Sequence, residues 1–215
     1  MMMTTRPAIA AATAIVLAAS IIGCNRGAGE VKTETRQVAG FSRIDVGGGI
    51  GLTVRIGPAP SLEVRAQENI LPLIESNVEN ATLRIHSTQA YTTSEGVHVT
   101  IVTPTLAGIA MSGGSQGQVA GLAADELAIE LSGGSALTAS GTARSVIVNA
   151  NGGSRGALSD LAATTVTVDM SGGSTATVRA SEEVKGSASG GSRVTVLGDA
   201  KLNVQATGGS DVSRG

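Results

Sequence analysis

Residues 146–174 read VIVNANGGSRGALSDLAATTVTVDMSGGS. Val146, Val148 and Ala150 stand six, four and two places before Gly152, and Val166, Val168 and Met170 stand at the same distances before Gly172. Polar residues, Asn149 and Asp169 among them, fall between. Apolar residues at every second position read as a strand with one buried face. The strand, the two glycines and the serine then recur along the chain.

Gly-Gly-Ser starts at Gly113, Gly133, Gly152, Gly172, Gly190 and Gly208, at intervals of 20, 19, 20, 18 and 18 residues. A flexible linker has no period, so these six glycines read as the structural corners of a stacked coil. Each copy follows a small polar residue: Ser112, Ser132, Asn151, Ser171, Ser189 and Thr207. The aliphatics of one repeat cannot form a core alone. Stacking repeats about 4.8 Å apart buries a continuous column and pairs each strand with its copies above and below. The glycines allow positive φ at a tight corner, and the serines are expected to stack into a hydroxyl ladder. The predicted fold is all-β: a parallel β-helix, or β-solenoid, with rungs of 18–20 residues. A calcium-binding roll needs Gly-Gly-x-Gly-x-Asp nonapeptides, and a left-handed hexapeptide helix needs aliphatics every six residues. Neither pattern is present, so a right-handed coil is expected.

Composition agrees. The 215 residues include 30 Gly but one Phe, one Tyr and no Trp, so Val, Ile, Leu and Ala must fill the core. A net charge of −2 gives no basic field for a phosphate backbone, and no nucleic-acid partner is expected. One Cys excludes a disulfide framework and a cysteine zinc cluster.

That Cys lies at a telling place. Arg6 precedes an apolar run from Ala8 to Ile22, which ends Ile21-Ile22-Gly23-Cys24. About 15 apolar residues suit a secretory signal better than a membrane span. The ending resembles the lipobox of bacterial lipoproteins. That resemblance implies a signal peptide over residues 1–23, cleavage before Cys24, lipid on its thiol, and the membrane as a partner. Asn25 in second place favours the outer membrane of a two-membraned cell. Residues 24–37 are polar and read as a tether between lipid and body.

Residues 38–105 are also β-rich and read as a region continuous with the solenoid of residues 106–215. Alternation marks Phe41–Val46, Ile50–Ile56, Leu62–Ala66, Thr82–His86 and Val97–Val102, with turns at Gly47-Gly48-Gly49, Gly57-Pro58 and Glu79-Asn80. Only 69–76 could hold a helical turn. The succession Phe41-x-x-Ile44-x-Val46, Ser61-Leu62-x-Val64-x-Ala66, Asn69-Ile70-Leu71-Pro72-x-Ile74, Thr82-Leu83-x-Ile85, Val99-x-Ile101-x-x-Pro104-x-Leu106 precedes the Gly-Gly-Ser rungs. This order resembles the bacterial auto-transporter adhesin head GIN domain family. The resemblance implies a β-helical fold and a cell-envelope location, and brings no catalytic residues.

Three constellations could carry chemistry. Gly113–Gly117 and Gly152–Gly156 match Gly-x-Ser-x-Gly, but a nucleophile elbow needs a strand turning into a helix with His downstream. Here the strands continue, and His86 and His98 lie upstream. Those two histidines, without a thiol or clustered carboxylates, read as surface side chains rather than metal ligands. An outward column holds Glu130, Asn149 and Asp169, two carboxylates two rungs and roughly 9.6 Å apart. That separation lies near the upper end of the about 6.5–9.5 Å of inverting glycosidases. The neighbouring column has no aromatic sugar platform, so a solvated face is the default.

The expected function is therefore non-enzymatic: a lipid-anchored envelope protein offering a rigid surface for adhesion or scaffolding, without a cofactor, to an envelope glycan or protein. The rival readings are a polysaccharide-active enzyme and a module that assembles end to end. For the latter, the C-terminal edge after Gly208, guarded by Asp211 and Arg214, is the expected self-association site.

Overall fold

The computed structural model describes residues 24–215. The expected signal peptide, residues 1–23, lies outside them. Nine short strands come first: β1 (Asn25–Arg26), β2 (Val31–Arg36), β3 (Arg43–Val46), β4 (Gly51–Ile56), β5 (Ser61–Gln67), β6 (Ile74–Glu79), β7 (Thr82–Ser87), β8 (Tyr91–Thr92) and β9 (His98–Thr103). β10 (Gly108–Met111) leads into four long strands, β11 (Gln116–Leu131), β12 (Ala136–Ala150), β13 (Arg155–Met170) and β14 (Thr175–Ala188). β15 (Arg193–Leu197), β16 (Lys201–Ala206) and β17 (Asp211–Arg214) follow.

Each long strand is one rung. Within one fifteen-stranded sheet its first half pairs along one ladder, a bend follows, and its second half pairs along another before the Gly-Gly corner. β11 to β14 pair in parallel along both halves, so Glu130 faces Asn149 and Asn149 faces Asp169. The last rungs divide the work: β15 continues the first half of β14, β16 the second, and β17 extends β15. The core is the column enclosed by the stacked rungs. Leu127, Ile129 and Leu131 lie over Val146, Val148 and Ala150, then Val166, Val168 and Met170, all buried. Parallel strands wrapped this way bury one face only, which is why alternation rather than a continuous apolar run marks them.

The N-terminal region joins the same stack out of chain order. β3 pairs with β10 and β4 with the first half of β11, both parallel, so residues 43–56 form the rung before residues 108–120. β7 and β9 then lie in parallel on β3 and β4. Beyond them the chain reverses. β6 is antiparallel to β7, and β5 lies antiparallel between β9 and β2. These reversals end the coil, with Asn80 and Ala81 at φ 50° and 58° in the β6–β7 hairpin. Positive φ at both central residues matches the twist of a two-residue hairpin. A single 3₁₀ turn, Leu71–Leu73, falls within the stretch expected to hold a helical turn.

The polar tether expected over 24–37 is corrected. β1 pairs in parallel with β8, and all six residues of β2 pair with β5. Val31-Lys32-Thr33-Glu34-Thr35-Arg36 alternates β-branched and charged residues, which is strand chemistry for an edge that buries little. Arg36 fastens it: its Nη1 donates to the Ile74 carbonyl at 2.6 Å and to Ser76 Oγ at 3.2 Å.

Candidate functional surface

The corners are made by backbone. At Gly113, Gly133, Gly152, Gly172, Gly190 and Gly208 φ lies between 59° and 64°, and the glycines that follow them have φ of 75–77°. The second glycine's N–H donates to the first glycine's carbonyl one rung on, as from Gly153 to Gly172 at 2.9 Å. The two positions differ in room. A Cβ at Gly152 would lie 3.2 Å from the Gly133 nitrogen, whereas one at Gly153 would meet nothing within 4 Å. The same column reaches up to Gly48, whose nitrogen would lie 3.0 Å from a Cβ on Gly113. A seventh corner, Gly48-Gly49, therefore exists with Ile50 where the others have Ser.

The corner serines do not stack into a hydroxyl ladder. Ser115, Ser135, Ser154, Ser174 and Ser192 are buried, and each Oγ donates to the carbonyl three residues back at 2.7–2.8 Å. A hydroxyl three residues away reaches that carbonyl within its own turn, whereas the copy one rung off is a rung spacing distant. The serines of both Gly-x-Ser-x-Gly matches, Ser115 and Ser154, are thus turned into the corner, with their protons on main-chain oxygens.

The outward column is assembled as follows. Asp45, Ala110, Glu130, Asn149, Asp169, Ser187 and Gln205 are successive ladder partners, and Arg84 lies beyond Asp45. Glu130, Asn149 and Asp169 are exposed. Ser187 Oγ donates to Asp169 Oδ1 at 3.1 Å. Asp45, from a strand some 60 residues earlier in the chain, belongs to this column, and sequence order hides it. With Glu130 it borders a hollow of about 460 Å³, floored by Ala110 and rimmed by Asn149 and Asn151.

The two histidines lie on different ladders, His86 on the strand that pairs with β3 and His98 on the strand that pairs with β4. His86, on β7, faces Glu75 at 3.8 Å, while His98, on β9, packs beside Gly51. Among the described residues no three His, Cys, Asp or Glu side chains gather as a metal site. Cys24 is exposed and immediately precedes β1. Close to that end Tyr91 donates its hydroxyl to the Gly48 carbonyl at 3.1 Å, and burial pushes its phenol above the ordinary value of 10.0.

A second hollow, of about 750 Å³, follows the bend between the two halves of the rungs, lined by Ala143, Ala163, Ala180, Arg144 and Arg179. No sequence motif marks it, because it lies where the repeat lengths vary. Among the described residues no helix is long and apolar enough to cross a membrane.

Comparison with known proteins places this architecture. A crystal structure described as a putative adhesin from Bacteroides fragilis superposes with a TM-score of 0.73 at 20% identity, covering 88% of this chain and 99% of that one. A putative adhesin from Parabacteroides merdae gives 0.55 at 13%, covering 88% and 98%. A putative lipid binding protein from Parabacteroides distasonis gives 0.51 at 14%, covering 90% and 100%. At these identities the likeness is one of fold. None of the three is described as an enzyme. No functionally curated protein matches the sequence. Residues 40–200 match the family model described as "Putative auto-transporter adhesin, head GIN domain". With most of its length matched, the chain belongs to that family.

Proposed function

We propose that the protein is a non-enzymatic, lipid-anchored envelope protein whose solenoid presents rigid polar faces for adhesion or scaffolding. The observation that carries this reading is the disposition of its reactive groups. Five of the six repeated serines are buried in corner hydrogen bonds, and the carboxylates Glu130 and Asp169 stand on an open, solvated face. Family membership and the adhesin descriptions of the neighbours support an exported surface role. The anchor rests on Ile21-Ile22-Gly23-Cys24 and on the exposure of Cys24.

Docking of β1 and β2 sharpens the picture. With no free tether, a lipid on Cys24 holds the N-terminal cap at the bilayer. The outer membrane is the proposed site. Fractionation of the Cys24→Ser variant tests the reading: the protein is expected to leave the membrane fraction, and cells carrying it to lose whatever surface adherence the parent gives. Full membrane retention of the variant would overturn the anchor.

A further inference from the structure

We infer that the groove along the bend binds an acidic glycan laid lengthwise on the solenoid. Within β11 to β14 the ladders slip register at this bend: between Val119 and Leu122, between Thr138 and Ser140, and between Leu158 and Thr165. The rungs also change length here, from 16 residues in β13 to 14 in β14. The hollow that results, about 750 Å³, exceeds the 460 Å³ beside Glu130. It lies within the roughly 300–1,000 Å³ usual for ligand sites.

Its floor is a column of ladder partners, Ala143, Ala163 and Ala180. All three are buried, so nothing larger than a methyl group occupies the floor. Ala162 pairs with Thr142 on one side and Arg179 on the other, forming one wall. Arg144 and Thr164, the residues after Ala143 and Ala163, form the opposite wall. The two arginines thus stand across the floor from each other and two rungs apart, roughly 9.6 Å along the axis.

Both guanidinium groups have donors to offer. Arg179 Nε donates to the Ser159 carbonyl at 2.8 Å, which aims its fork, and its two Nη atoms have no acceptor among the described residues. Arg144 has only Asp125, 3.7 Å away and almost wholly in water. A planar fork of donors matches a carboxylate in bidentate fashion.

The rest of the groove selects the class. Thr142, Thr164 and Ser181 supply hydroxyls for a polyol. No aromatic ring lines it, so neither bases nor neutral sugars find a stacking surface. Charge must then supply the attraction. Asp199 lies at one end and repels acidic groups beyond it, which confines the chain to the rungs between. The inference deepens the surface-presentation reading by naming its partner class, and it does not depend on the anchor.

Calorimetry on the full chain in detergent tests it, with a hexameric polyuronate, a sulfated glucan and a neutral glucan hexamer as probes. At least one acidic probe is expected to bind, more weakly as salt rises, and the neutral one not to bind. Arg144→Gln and Arg179→Gln should each weaken binding about tenfold, as loss of a charge-assisted bidentate contact does. Arg155→Gln, on the open sheet face, should leave it unchanged. Melting temperatures of all three variants should match the parent, since these side chains are exposed. Failure of both acidic probes at millimolar concentration, equal binding of the neutral hexamer, or unchanged binding in the double arginine variant would overturn the inference. A monomeric uronate binding as tightly as the hexamer would overturn its extended form. Fractionation of Cys24→Ser is read separately, so loss of glycan binding and loss of the anchor are distinct results.

Discussion

At Gly152 and Gly153 the two glycines of one corner carry different burdens. Both have positive φ, which disfavours any L side chain by about 1–2 kcal/mol. Only Gly152 also faces the backbone of the rung before it. Gly152→Val should therefore lower the melting temperature more than Gly153→Val, a site where the added side chain enters open space. Equal shifts in thermal unfolding of the two variants would contradict the corner geometry. Ser154 tests the buried hydroxyl. Removing it leaves the Asn151 carbonyl without its 2.7 Å donor, a loss of about 1 kcal/mol for Ser154→Ala. For a domain of this size that is roughly 2–4 °C in Tm. Ile50 at the seventh corner shows that the position also accepts an aliphatic residue, so Ser154→Ala should remain folded. Tyr91, the only tyrosine, reports on the cap by ultraviolet titration. Burial raises its folded pKa above the unfolded value, so its contribution to stability is complete below about pH 10 and is lost as pH rises through the folded pKa. The absorbance midpoint should lie above 10, and one at or below 10 would contradict the packing.

Elements of the repeat announced themselves in sequence because six copies multiply a weak signal. One Gly-Gly-Ser is uninformative, whereas six at 18–20 residues with alternating strands before them leave few folds. β2 was missed for the opposite reason. As an outer strand it buries little, so Lys32, Glu34 and Arg36 alternate with β-branched residues, and polarity masks the pattern. Hydrogen exchange discriminates directly. Alternate amides of residues 31–36 should be protected by β5, and Arg36→Ala should weaken that protection by removing the bonds to Ile74 and Ser76. Free exchange throughout 31–36 would restore the tether. Asp45 was illegible in the Glu130 column because β3 stacks on β10 across some 60 residues of chain. The bend groove was illegible too, since it forms where the repeat lengths differ.

On the scale of the whole molecule, the parallel stack has its reversals at the N-terminal cap, where β5 and β6 turn antiparallel. At the other end β16 and β17 each pair with one neighbour among the described residues, and Arg214 donates to the Gly198 and Ala200 carbonyls instead of standing out as a lone charge. Main-chain hydrogen bonds tie successive corners together and serine hydrogen bonds close them from within, while Glu130, Asp169 and the arginines of the bend groove remain in solvent. On the proposed function such a body acts by what it displays and by where it is held, so attachment through Cys24 is the claim on which that proposal turns. Intact mass spectrometry of the protein extracted from membranes tests that claim most directly. The account predicts a chain that begins at Cys24 and carries a diacylglyceryl mass on it. An unmodified chain that still holds residues 1–23 would contradict it.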